Sequence, residues 1–189
     1  MQNLRLIIGI SGATGAIYGI RLLEVLKAQE GIETHLIITE MGRATITMET
    51  DYSIAAVEKL ATHVHSVKDL AASISSGSCK TGGMIVAPCS VKTLSSVARS
   101  ANDNLLTRAA DVTLKERRKL VLLFRETPLH AGHCQLMLDA SKIGAIIMPP
   151  VPAFYTRPAS VNDIVDHTVG RVLDIWDLDI AGIKRWREA

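Results

Sequence analysis

LRLIIGISGATGAIYGIRLL, residues Leu4–Leu23, is the stretch whose reading decides the fold. Leu4–Ile10 is a short apolar run rich in β-branched residues, which predicts a buried strand. Five small residues follow, Ser11–Gly15. From Ala16 to Ala28 the apolar side chains Ile17, Ile20, Leu22, Leu23 and Leu26 return on one broad face, which predicts an amphipathic helix. A strand, a small-residue loop and a helix open an alternating α/β pattern.

The pattern continues outward from there. ETHLIIT, Glu33–Thr39, predicts a second strand, and Met41–Thr50 and Tyr52–Ala61 predict helices, the latter with Ser53 near its start. Ala72–Gly83 is a Ser/Gly-rich loop. Met84–Ala87 reads as a strand closed by Pro88, Val91–Ser100 and Leu105–Arg117 as helices, and Lys119–Phe124 as a strand. Gly132–Ser141 is mostly helical and Ala145–Met148 is the last strand. A proline-rich loop, PPVPAFYTRPAS, precedes a long helix over Val161–Leu178 and a basic tail, IKRWREA. Continuously apolar strands alternating with helices predict a doubly wound parallel sheet covered on both faces, a three-layer α/β/α arrangement. No repeat and no linker divides the chain, so residues 1–189 are expected to form a single domain.

Composition narrows the function. A net charge of +2 over 189 residues argues for neither nucleic acid nor an anionic membrane as partner. Only 4% of residues are aromatic, too few for base-stacking platforms. The three cysteines, Cys79, Cys89 and Cys134, are odd in number and form no C-x-x-C, which fits a reducing cytoplasm. The opening apolar run is broken by glycines and lacks a basic leader, so no signal peptide is expected, and no run reaches the ~18 apolar residues of a membrane span.

In an open α/β sheet, ligands bind beyond the carboxyl ends of the strands. Residues there are Ser11–Gly15, Thr39, Pro88–Thr93, Arg125–Glu126 and the loop Pro149–Arg157 with Tyr155. Glycines allow close backbone approach, and helix starts offer free N–H groups to an anion. Together they predict a bound phosphate monoester; tight βα turns alone would also use small residues. Gly9, Gly12 and Gly15 are spaced G-x-x-G-x-x-G, which is neither the dinucleotide fingerprint nor a P-loop. Glu40 suits a ribose diol and Thr39 a phosphate oxygen, and a mononucleotide is the favoured ligand. Arg125 suits a phosphate fork and Glu126 a general acid or base, the alternative being an Arg–Glu pair closing a turn. His63 and His65, or His130 and His133, are close enough to share a metal, but no third ligand stands at a telling distance. Arg108, Asp111 and Lys115 share one helix face, by default an ion-pair ladder, and Lys115–Lys119 reads as a solvated helix end.

Eight segments in order resemble the UbiX-type flavin prenyltransferases: GISGATGAIYGIRLL, METD (Met48–Asp51), SISSGS (Ser73–Ser78), PCSVKTL (Pro88–Leu94), RAADVTLKERRKLVL (Arg108–Leu122), RETPLH (Arg125–His130), PPVPAFY (Pro149–Tyr155) and RVLD (Arg171–Asp174). The resemblance implies a flavodoxin-like, Rossmann-type subunit of a cytoplasmic homo-dodecamer. It implies reduced FMN and dimethylallyl phosphate as substrates, prenylated FMN as product, and a UbiD-type decarboxylase as the protein that uses it, as in ubiquinone synthesis. Carried over by position, Gly12, Ala13, Thr14, Thr39, Ser90, Val91, Lys92, Thr93 and Arg125 hold FMN. Tyr155, Arg171 and Lys115 hold the dimethylallyl phosphate, with Glu126 at its phosphate. Glu49 assists proton transfer beside the flavin, Thr14 stands with the catalytic groups, and Trp186, in a tail of about residues 179–189, covers the site. Two positions depart from the family: Thr14 is often serine there, and Phe124 replaces a frequent proline.

The chain has no D-D-x-x-D cluster, so the expected prenyl transfer is metal-free, with fixed cations receiving the charge of the leaving phosphate. Two rivals remain open at this point. One is an FMN-dependent cysteine-type decarboxylase of the same fold, whose PASANT-like loop stands where this chain has PCSVKT. The other is a flavin carrier without chemistry.

Overall fold

The computed structural model describes residues 3–179. They fall into two compact units, 1–149 and 150–189. Trp186 and the rest of the expected covering tail lie outside the described residues.

In the first unit six parallel strands form one sheet: β1 (Leu4–Ile10), β2 (Ile32–Ile38), β3 (His63–His65), β4 (Gly83–Cys89), β5 (Lys119–Phe124) and β6 (Ala145–Ile147). Their order is β3-β2-β1-β4-β5-β6. Without the three-residue edge strand β3 this is the flavodoxin-like winding, whose direction reverses between β1 and β4. All seven residues of β4 are buried, as a central parallel strand requires.

Alternate side chains sort to two faces. Ile7, Ile37, Met84, Val86, Leu120, Leu122 and Phe124 share one core cluster with residues of α4 (Val91–Ala98), α5 (Leu105–Lys115) and α6 (Ala131–Lys142). The other face, bearing Ile10 and Ala87, packs α1 (Ala16–Lys27), with α2 (Glu40–Glu49) beside it. Each buried leucine, isoleucine or valine contributes about 1.5–3 kcal/mol relative to exposure. Among the described residues every α-helix but α1 starts on a side-chain cap. Thr39 accepts from Gly42 N at 3.0 Å, Ser53 opens α3 (Ile54–Glu58) by accepting from Ala56 N, and Asn104 and Thr107 form a capping box on α5.

The structure departs from expectation at several ends. β3 was not expected: HVH has no apolar run, because an edge strand faces water and needs none. Pro88 does not close β4, which continues to Cys89 through a register shift between Val86 and Cys89, where a residue without N–H is tolerated. α5 stops at Lys115, two residues before the expected Arg117, and the chain turns through Arg117 at φ 56°; Lys115, Glu116, Arg117 and Lys119 are exposed, as expected of a solvated helix end, but Arg118 is not. Arg118 folds back, donating to the carbonyls of Gly77 and Cys79, each at 2.7 Å, and ties down the Ser/Gly-rich loop.

The second unit holds a short 3-10 turn at Phe154–Thr156 and α7 (Val161–Leu173), opened by a Ser160/Asp163 capping box. α7 ends five residues earlier than the sequence suggests: a 3-10 turn, Asp174–Trp176, follows, and Asp177 at φ 56° reverses the chain.

Candidate active site

The reversal point between β1 and β4 is bridged by one buried hydroxyl. Ser11 Oγ donates to Pro88 O at 2.8 Å and accepts from Ser90 N at 2.9 Å, and Ser11 N also donates to Pro88 O. The two loops that leave these strands are therefore held as one surface. Ser90 in turn caps α4, accepting from Thr93 N and bonding the Thr93 hydroxyl at 3.1 Å.

The loop Ser11–Gly15 is glycine-bearing for two distinct reasons. A Cβ on Gly12 would lie 2.3 Å from Met41 Cβ, so the loop presses directly on α2. Gly15 has φ 97°, left-handed backbone that favours glycine. Gly15 N donates to Glu49 Oε2 at 2.8 Å, so the carboxylate at the end of α2 braces the start of α1.

These loops open onto a cavity of about 650 Å³, a size typical of cofactor sites. Gly12, Ala13, Thr14, Thr39, Ser90, Val91, Lys92, Thr93, Arg125 and Glu126 all line it. The starts of α2, α4 and α5 converge there, each bringing backbone N–H groups and a partial positive charge. Arg125 is half-buried, and its backbone N–H is held by Cys89 O at 3.0 Å. Among the described residues its guanidinium has no hydrogen-bond or ion-pair partner. The Arg–Glu turn pair is not formed: Glu126 instead accepts from its neighbour Thr127 N at 2.9 Å. Phe124 is buried in the core edge-on to His133.

Sequence reasoning missed part of the wall. Met41, Val67, Lys68, Ser96, Asp103, Asn104 and Thr107 also line the cavity. Glu40, considered for a ribose, faces Lys68 at 3.4 Å. Asn104 and Thr107 were findable from their N-x-x-T capping pattern. Val67 and Lys68 follow β3 and are strand-end residues only once that strand is seen.

Of the expected groups in the first unit, Glu49 and Lys115 do not line this cavity. Glu49 stands behind the loop, on Gly15. Lys115 lies at the opposite end of α5 from Asn104, about 15 Å along the helix, beside Gly77 and paired with Glu116. The expected ladder is thus shorter: Arg108 pairs with Asp111 at 3.2 Å, and Lys115 does not join it. Within one chain, Lys115 therefore does not stand beside Glu126, with which it was expected at the dimethylallyl phosphate. Tyr155 and Arg171 belong to the second unit. There the Tyr155 hydroxyl is 3.0 Å from His167 Nε2, and Arg171 pairs with Asp174. His167, one helical turn before Arg171, is held below its usual pKa by burial and by that guanidinium.

Comparison with known proteins converges on one family. The Flavoprotein family model matches residues 1–173. The chain is 57% identical over 187 residues to flavin prenyltransferase UbiX of Escherichia coli strain K12, covering 98% of this chain and 99% of that one. It is 56% identical over 183 residues to flavin prenyltransferase UbiX of Thauera aromatica, covering 97% and 94%. Among solved structures, AnUbiX in complex with FMN and dimethylallyl pyrophosphate superposes with a TM-score of 0.97 at 47% identity over the whole of both chains. An FMN-dependent cysteine decarboxylase, TvaF, shares the fold at 14% identity and a TM-score of 0.63, over 88% of this chain and 98% of that one. With a strand order, a reversal-point cavity and relatives that agree, the chain belongs to the flavoprotein family and, within it, to the UbiX-type flavin prenyltransferases.

Proposed function

We propose that this protein joins a dimethylallyl group to reduced FMN, making prenylated FMN for a UbiD-type decarboxylase. The observation that carries the reading is Arg125: a half-buried guanidinium, unpartnered among the described residues, in a cavity of small residues and helix starts that also bears Glu40, Lys68, Lys92, Asp103 and Glu126. The cavity suits FMN. Convergent N–H groups and a free cation match a phosphate, and Met41, Val67 and Val91 offer apolar surface to a ring system.

When bound, reduced flavin supplies the nucleophilic N5 and C6 positions. Gly12–Thr14 and Thr39 shape one wall, and Ser90–Thr93 the other. Arg125 forks onto phosphate oxygen and stabilises negative charge as the allylic C–O bond breaks. Glu126, next to it, gives a proton to the departing phosphate. Glu49 holds Gly15 through Oε2 and so fixes the loop; the family resemblance also gives it the part of a base. Tyr155 and Arg171 add a hydroxyl and a second cation, and Trp186 an aromatic cover for the allylic cation. A UbiX-like relative from Escherichia coli O157:H7, 48% identical with a TM-score of 0.96 over 98% of this chain and 100% of that one, is a dodecamer. The same assembly is proposed here. Lys115, at the far end of its own α5, then serves this cavity from another copy.

The leaving group of the reading is a monophosphate; AnUbiX was solved with the pyrophosphate. Anaerobic incubation with reduced FMN and either donor, followed by mass spectrometry of the flavin, tests both. Addition of one five-carbon unit supports prenyl transfer, and the faster donor identifies the leaving group. Unmodified FMN with both donors overturns the reading. Carbon dioxide release from a cysteinyl peptide, with no second protein, would favour the decarboxylase instead. Ubiquinone synthesis and a cytoplasmic location complete the proposal; among the described residues no helix is long and apolar enough to cross a membrane.

A further inference from the structure

We propose that Glu33, His35 and His63 form a binding site for one divalent transition-metal ion of the zinc type, on the β2–β3 edge of the sheet and separate from the flavin cavity. Glu33 and His35 stand two apart on β2 and therefore on one face, and His63 is the register partner of His35 on β3. One ligand atom from each lies within 4.8 Å of the other two.

His35 supplies the second, independent observation. It is only 7% exposed, and its Nε2 is buried with no hydrogen-bond partner. Its other nitrogen, Nδ1, lies 2.9 Å from His65 Nε2. With the proton on His35 Nδ1, donated to His65, the buried Nε2 lone pair is left without a partner. That is how metal-binding histidines are held: the second ring nitrogen donates to an outer partner, which fixes tautomer and ring angle. The opposite tautomer would bury an unpaired N–H, which costs about 1–3 kcal/mol. Glu33 accepts from Arg5 Nε at 2.7 Å and from Asn3 Nδ2 at 3.2 Å, and so is already oriented.

Two imidazoles and a carboxylate suit zinc rather than magnesium or calcium, with water in the fourth position. Ligand atoms about 2 Å from a tetrahedral ion stand about 3.4 Å apart. The exposed His63 ring closes that difference by turning inward. His35 precedes Thr39 by four strand residues, about 13 Å, and none of the three residues lines the flavin cavity.

The test uses untagged, metal-stripped, full-length protein titrated with Zn²⁺ against a chromogenic competitor. One equivalent bound per chain is expected, with affinity falling in His63→Ala and in Glu33→Gln by more than the about 10–100-fold that loss of an outer-shell partner costs, and unchanged in Cys134→Ser. Co²⁺ in place of Zn²⁺ should give a visible ligand-field spectrum that His63→Ala abolishes. Absence of stoichiometric binding, or equal affinity in wild type, His63→Ala and Glu33→Gln, overturns the proposal. Far-UV circular dichroism of each variant separates a lost ligand from a lost fold.

Discussion

At the amino edge of the sheet each cation considered has an answer. Arg5 pairs with Glu33 at 2.7 Å, Lys115 with Glu116, and Arg118 donates to backbone carbonyls. At the carboxyl edge Arg125 is half-buried and, among the described residues, unanswered, while the hydroxyls around it cap helices and stitch loops. Both edges carry polar residues, but they use them differently. A paired charge is a structural element worth little when exposed. A cation kept from water without a partner carries a desolvation cost that an anionic ligand repays. The difference marks which edge is built for a ligand.

The comparison breaks most visibly at Arg125. Arg125→Ala should slow prenyl transfer about 10²–10³-fold, some 2.7–4 kcal/mol of barrier, with an unchanged circular dichroism spectrum. Arg125→Lys should recover little, since an ammonium cannot fork onto two oxygens. A near-normal single-turnover rate in the alanine variant would remove the cation from the reading. Next in size is Gly12→Ala, whose new Cβ would lie 2.3 Å from Met41 Cβ and must drive the loop from α2. FMN affinity should fall about tenfold or more, roughly 1.4 kcal/mol, measured by flavin fluorescence. Ser11→Ala removes the bridge between the two loops and leaves the part-buried Ser90 N–H unmet, so chemical denaturation should show a loss of about 1 kcal/mol.

The amino edge should answer weakly to the same treatment. Lys115→Ala removes an exposed pair, so stability should change by about 0–1 kcal/mol and FMN affinity should not change. Its turnover should nevertheless fall with FMN still bound, because the proposed assembly puts Lys115 at another copy's cavity; unchanged turnover would remove it from that cavity. The smallest effect is expected from a chelator. Removing divalent ions should leave the prenylation rate as it was, even where it strips zinc from Glu33, His35 and His63. Loss of turnover with chelator and rescue by magnesium would show that an ion, not the cations, takes up the leaving group's charge.

Much of the carboxyl edge was legible because βα loops adjoin their strands in sequence. Once Leu4–Ile10, Glu33–Thr39 and Lys119–Phe124 are read as parallel strands, Gly12, Thr39 and Arg125 must share an edge. Lys68 was not legible, since it follows a strand that has no apolar run. The placement of Lys115 was hidden for another reason. Its neighbours in sequence are cations and acids, and only the direction of α5 shows that it points to the far edge.

From its sequence alone the chain declares its alternation of strands and helices, the small-residue loops at the strand ends and the family those segments resemble. These are local properties, set by hydrophobic period and by which residues tolerate a turn. Tertiary structure decided the rest: that Ser11 ties Pro88 to Ser90, that Arg118 secures a loop some forty residues before it, and that His35 meets His63 and His65. Strand register and helix direction bring such residues together across long separations, and no short window of sequence contains either.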